Sequence, residues 1–209
     1  MSKDILVELS TVLGAITHEL SGPLGIFISC HELLSRNALP AEQVANLLIQ
    51  GVEEQKKTLE ILRGLANLSA PFGHHSLLEM LNTVFSGISL NFIVELKIPE
   101  EMYFYAPNMA YSFFWEMFLV GIDDYGVSQL EISKPFPERA EVALLFMGGR
   151  LKQLENDLQN IFHRKFELLG KAALLNFALP LTIIQHLSSK KTTLSFIGET
   201  DKLEVFVGI

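Results

Sequence analysis

The sequence predicts an α+β protein in two parts. Residues 1–70 form an antiparallel helical hairpin that pairs with a second copy as a dimeric four-helix bundle, and residues 71–209 form a two-layer α/β sandwich. Three observations carry this reading. Apolar residues recur at three- and four-residue steps through the first part; SAPFGHH, Ser69–His75, breaks that pattern with proline and glycine; and beyond it short alternating runs are interleaved with helical ones.

In the first part, Ile5, Leu9, Val12, Ile16, Leu20, Phe27 and Leu34 mark a helix over about residues 4 to 36. RNALP, Arg36–Pro40, is a turn, and Val44, Leu47, Leu48, Val52, Leu59, Leu62, Leu65 and Leu68 mark a second helix. Two long helices joined by a short loop lie antiparallel. A hairpin cannot enclose its own apolar stripe, and a second copy is the economical way to cover it.

In the second part, Leu77–Gly87 fits a short helix and Asn91–Pro99 alternates like a half-buried strand. APNMAYSFFWEMFLVGIDDYG fits a helix with Pro107 near its start and Gly126 past its end. Strands fit Val127–Ser133 and Glu141–Met147, helices fit Leu151–Phe162 and Lys171–Leu187, and closing strands fit Thr193–Ile197 and Leu203–Val207.

Charge and composition narrow the function. With 209 residues and 49% apolar side chains, the chain has material for a sizeable core. A net charge of −8 and the lack of a dense lysine and arginine cluster argue against a nucleic-acid partner, which would need a basic stripe. Cys30 is the only cysteine, which suits the cytoplasm and leaves no thiolate metal cluster. Asp4 and Glu8 interrupt what a signal peptide would need as an apolar run, and FFWEMFLVGI and ALLNFALPLTII fall short of the roughly 20 apolar residues of a membrane span. The mean hydropathy of +0.31 is then read as a large core or a dimer interface.

One stretch of the first helix carries chemistry. At about 100° per residue the apolar positions of that helix cluster within roughly one third of its circumference, and His18 falls nearly opposite them. Gly14, Ser21, Gly22 and Gly25 stand at steps of minus four, plus three, plus four and plus seven from His18, so its helical neighbours are small. Each glycine inside a helix costs roughly 1 kcal/mol against alanine. Pro23, one turn on, removes a backbone donor and favours a kink. Access of another protein surface to the imidazole explains such a run; close packing of glycines within the bundle explains it equally well from helical geometry alone.

Other candidates read as structural. His31 falls near the apolar face and is expected to pack there, as is Cys30. His74 and His75 are adjacent, point apart and lack acid or cysteine partners at ligand spacing, so no metal is expected. Phe113, Phe114, Trp115 and Phe118 read as core or domain interface, and Asp123 and Asp124 as solvated residues at a helix end.

HELSGPLGIF resembles the H-box of two-component sensor kinases, in which a histidine is followed by an acid, leucine, a basic residue, a small residue, proline and leucine. His18, Glu19, Leu20, Pro23 and Leu24 match in place, while Ser21 stands where arginine is usual and Gly22 where threonine or another small residue is. The resemblance implies a dimeric histidine-bearing hairpin followed by an ATPase-like α/β domain. That domain departs from the kinase pattern. FFWEMFLVGIDD has Glu116 where a kinase carries its magnesium-holding asparagine; LFMGGRLK lacks the adenine-reading aspartate; and LLNFALPLTIIQHL has no glycine where a phosphate-cradling box belongs.

This combination is similar to the ChpT-type histidine phosphotransferases of alphaproteobacteria, and in plan to the sporulation phosphotransferase of bacilli. The resemblance implies a degenerate histidine-kinase-ATPase-like domain without a nucleotide site and a phosphotransferase that works through a phosphohistidine at His18, with no ATP. The implied partners are response-regulator receiver domains and a hybrid histidine kinase, with Mg2+ supplied by the receiver. Glu19 is the candidate to orient or polarise the imidazole; Gly14, Ser21, Gly22 and Gly25 are the candidates for the docking surface. An autophosphorylating histidine kinase and a non-catalytic receiver-binding scaffold are the competing readings.

Overall fold

A helix that ends cleanly and a proline that starts the next one shape the first unit. α1 (Lys3–Ser35) ends at Asn37, whose φ of 50° places it in the left-handed region. Ala38 N–H donates to the Leu33 carbonyl at 2.9 Å and Asn37 N–H to that of Leu34 at 3.1 Å, the paired bonds of a Schellman stop. Pro40 then presents its carbonyl to Gln43 and Val44, opening α2 (Ala41–Ala66). The chain is seen here in a computed structural model that describes residues 3–69, 71–136, 141–170, 173–187, 193–194 and 202–208. It divides into the units Met1–Ala66 and Asn67–Ile209, which are taken one at a time.

α1 and α2 run antiparallel: Cys30 Sγ faces the Val44 carbonyl at 3.9 Å, and further from the turn Ile26 and Phe27 flank Gly51. A Cβ on Gly51 would stand 3.2 Å from both Ile26 Cγ2 and Phe27 Cε1, so this glycine permits close approach of the helices. Pro23 and Cys30 are buried on α1, and Val44, Gly51, Thr58 and Ile61 on α2. His31 is exposed, which corrects its expected packing. The inward face of α1 is centred near Cys30, and the next residue stands about 100° round the helix from it. The side chains of Ile5, Leu9, Val12, Ile16 and Leu20 lie outside the described residues.

Two helices leave apolar surface uncovered. Leu24 and Ile28 on α1 and Ile49, Val52 and Leu59 on α2 are between 43% and 63% exposed. Their spacing of three, four and seven residues makes a second stripe, about a quarter turn or more from the face each helix turns to its partner.

Among its described residues the second unit has two sheets. β2 (Ile93–Lys97), β4 (Gln129–Ser133), β5 (Glu141–Met147), β7 (Lys202–Gly208) and β6 (Thr193–Leu194) form one, in the order β2-β4-β5-β7-β6; β2 and β4 are parallel and the other pairs antiparallel. Side chains alternate across it: Leu130, Ile132, Val142, Leu144, Phe146, Leu203, Val205 and Val207 are buried, while their neighbours Glu131, Glu141 and Glu204 are only half-buried. β1 (Phe72–Ser76) and β3 (Tyr103–Pro107) form a separate antiparallel pair, with Gly73 opposite Ala106 and His75 opposite Phe104. SAPFGHH is therefore largely a strand within the second unit, and Tyr103–Pro107 is a strand ahead of the helix expected there. Pro107 ends the strand and starts the helix.

The helical layer consists of α3 (Leu77–Gly87), α4 (Asn108–Asp123), α5 (Leu151–Phe162) and α6 (Leu179–Leu187), the last preceded by a π-helical turn over Leu174–Ala178. α3 begins at Ser76, whose Oγ accepts from Glu79 N–H at 3.3 Å. α4 is the core helix: Phe114, Trp115, Phe118, Leu119 and Ile122 are all buried. Phe118 stacks on Phe177 with ring centroids 5.3 Å apart. Pro180 has no N–H to send back to the Asn176 carbonyl, and that carbonyl lies against Gly121, where a Cβ would overlap it.

Two stability predictions follow from this layer. Gly121→Ala must push α4 and the π-helical turn apart and lowers the unfolding free energy by about 1–3 kcal/mol in urea denaturation. Burial raises the ionisation of the Tyr111 hydroxyl above its ordinary value of 10.0; burial, then the hydrogen bond that Tyr125 donates to Asp157 at 2.8 Å, does the same for Tyr125. Above pH 10 the unfolded chain releases protons that the folded chain retains, so stability is full below that pH and falls as pH rises further. Tyr125→Phe costs about 1 kcal/mol at neutral pH through the lost hydrogen bond and makes the alkaline decline shallower.

Candidate phosphoacceptor helix

All six residues singled out around the histidine lie on α1, which runs unbroken through Pro23. His18 and Glu19 belong to this helix, and their side chains lie outside the described residues. Gly14, Ser21, Gly22 and Gly25 are exposed, together with Thr17 and Leu24. Ser21 Oγ donates to the Thr17 carbonyl at 2.8 Å, so its hydroxyl proton is used within the helix.

A Cβ placed on Gly14, Gly22 or Gly25 would meet nothing within 4 Å, in contrast to Gly51, where Ile26 and Phe27 crowd the same position. Close packing of α1 on α2 thus accounts for Gly51 and not for the three glycines flanking His18. Each of the three weakens the helix without a packing gain inside this chain.

In the second unit, Glu116 is exposed on α4. The turn after β5 is closed upon its own neighbours. Gly148 and Gly149 have φ of +75° and +73°; a Cβ on Gly149 would overlap the Gly126 carbonyl, and one on Gly148 would overlap Ser128 Oγ. Arg150 donates its guanidinium to the Asp124 carbonyl and its N–H to the Tyr125 carbonyl, the latter at 2.8 Å. The apolar stretch before β6 is helical, and Leu174, Leu175, Phe177, Ala178, Leu181 and Ile184 are buried.

Elsewhere, His74 lies 5.0 Å from Tyr105 and His75 5.7 Å from Phe104 between ring centroids, on opposite faces of the strand pair. Asp123 is more than a solvated helix end: it accepts from Asn91 N–H at 3.3 Å and Nδ2 at 2.6 Å, tying the loop before β2 to α4. No signal within either segment would have found that pair, since it joins residues 32 apart. Among the described residues no group of three or more His, Cys, Asp or Glu side chains could hold a metal ion, and no helix is long and apolar enough to cross a membrane.

No protein-family model matches the sequence, and no curated protein does. Solved structures do match. The chain is similar to the Acinetobacter baumannii histidine kinase AdeS, with a TM-score of 0.53 at 15% identity over 91% of this chain and 97% of that one. It is similar also to a bacterial phosphotransferase, with a TM-score of 0.51 at 12% identity over 99% and 97% of the two chains. At these identities the likeness is one of fold: the chain has a mixed α+β, histidine-kinase-like fold.

The open glycines lead to a direct expectation for stability. Gly22→Ala and Gly25→Ala each stabilise the first unit by up to roughly 1 kcal/mol, read as a higher urea midpoint, because the added methyl meets no neighbour and alanine favours the helix.

Proposed function

We propose that this chain is the histidine phosphotransferase of a two-component phosphorelay, with His18 as the residue that carries phosphate. The observation that carries the proposal is the pairing of an H-box-like HELSGPLG on α1 with an exposed, side-chain-free flank at Gly14, Gly22 and Gly25. The histidine-kinase-like fold along nearly the whole chain supports it.

In this reading, a neutral ring nitrogen of His18 attacks the phosphorus of an aspartyl phosphate on a receiver domain. A P–N bond forms, the P–O bond to the aspartate breaks, the carboxylate leaves, and the other ring nitrogen gives its proton to solvent. A second receiver reverses these steps with its own aspartate as nucleophile. Transfer of this kind depends on positioning and on neutralising the phosphoryl charge, and the receiver contributes its own divalent cation for the latter. What remains for this chain is to hold the imidazole where a folded domain can reach it. Glu19 would orient the ring, and Gly14, Ser21, Gly22 and Gly25 would admit the receiver surface.

A kinase of the usual kind would also bind ATP. Glu116 in place of the asparagine, the self-packed Gly148–Arg150 turn and the apolar π-helical turn and α6 favour a domain without a nucleotide site. The stripe of Leu24, Ile28, Ile49, Val52 and Leu59 favours a homodimer in which a second copy completes a four-helix bundle. Covering these half-exposed side chains contributes about 1 kcal/mol or more for each. A cytoplasmic location goes with this role.

Incubation with a phosphorylated receiver labels the wild type with acid-labile phosphate and leaves His18→Ala unlabelled; labelling from ATP alone would instead make the chain a kinase, and absence of labelling from any receiver would make it a scaffold. Gly25→Leu keeps the helix yet slows transfer at least tenfold at sub-saturating receiver, measured as the initial rate of label transfer. By light scattering at micromolar concentration the wild type is a dimer and Ile28→Glu/Val52→Glu a monomer.

A further inference from the structure

We infer that a cleft in the second unit, between α3, the β1–β3 pair and the start of α4, receives an arginine side chain from a partner protein. The cleft holds about 390 Å³ and is lined by Glu79, Met80 and Thr83 of α3, His74 of β1, and Tyr103 and Phe104 of β3. Among the described residues Glu79 is the one carboxylate in the lining, and no lysine or arginine lines the cleft. Its side chain is exposed and has no ion-pair partner among the described residues.

The surroundings suit a cation. Tyr103 and Tyr105 are 64% and 57% exposed on the outer face of the strand pair, and Phe72 stands on the same side with its ring centroid 5.4 Å from that of Tyr105. Isolated exposed apolar residues need no explanation, but a contiguous aromatic patch marks an interaction site. With its histidines neutral, the stretch carries mainly negative charge. Between Asn67 and Pro107 the acids are Glu79, Glu95, Glu100 and Glu101, and the one lysine or arginine, Lys97, is engaged by Glu131 at 2.6 Å and Glu95 at 3.7 Å. Glu100 and Glu101 are exposed immediately before β3.

A carboxylate that shares the cleft with the exposed Tyr103 ring is complementary to a planar guanidinium, which stacks on an aromatic face while its edge donates to the carboxylate. Thr83 Oγ1 already donates to the Glu79 carbonyl at 2.9 Å, so toward a guanidinium that hydroxyl offers an acceptor. Lysine offers the charge without the plane, and an acidic or second-copy surface would meet like charge.

The test uses the full chain, labelled with 15N and titrated with acetyl-Gly-Arg-Gly-amide. Amide shifts that saturate and map to residues 74–83 and 103–105 are expected, with binding about tenfold weaker for Glu79→Gln. Tyr103→Ala should weaken it severalfold as an independent variant. A peptide with citrulline in place of arginine, equal in shape and uncharged, should shift nothing. Equal binding of the citrulline or the lysine peptide, shifts elsewhere on the chain, no shifts, or indifference to both variants would overturn the assignment.

Discussion

The second unit depends on the meeting of α4 with the π-helical turn at Gly121. The contact needs a position on α4 with no Cβ, because the Asn176 carbonyl stands where that Cβ would be. Once the two backbones touch there, Phe118 reaches Phe177, Trp115 packs edge-on to Phe118 at 5.7 Å, and α4 becomes the buried spine of the helical layer.

The first unit works under a different constraint. Each helix of a hairpin turns only one face to its partner, so the remaining circumference is free to carry other features. On α1 the inward face holds Pro23 and Cys30, a second stripe holds Leu24 and Ile28, and the glycines at 14, 22 and 25 stand exposed. Glycine is costly in a helix, and at these three positions a Cβ would meet nothing within 4 Å.

Legibility followed the range of the interaction. The spans Leu77–Gly87, Glu141–Met147 and Leu151–Phe162 could be read directly, because their periodicity and their turns lie within a few residues of one another. FGHHS and YFYAP were not read as strands. Each is five residues long, with polar or aromatic side chains and a proline or glycine, and becomes a strand only by pairing with the other some 30 residues away. The aromatic run before Pro107 was the available hint. His31 failed for a local reason: a wheel drawn through all apolar residues averages the inward face with the exposed stripe and shifts its centre toward His31.

The candidate phosphoacceptor motif was legible because it is contiguous on one helix, where sequence spacing is spatial spacing. The cleft of Glu79 and Tyr103 was not, since strand pairing brings those residues together. By itself the sequence determined which segments are helices, the mixed α+β class, and the small-residue neighbourhood of His18, all of which follow from periods of 3.6 and 2 and from residue size. Tertiary structure decided which apolar residues are covered within the chain and which are left exposed. It also decided that Gly51 and Gly121 are crowded by neighbours within the chain, while a Cβ on Gly14, Gly22 or Gly25 would meet nothing within 4 Å. Those outcomes depend on what lies opposite each residue, and no single stretch of sequence contains both sides of a contact.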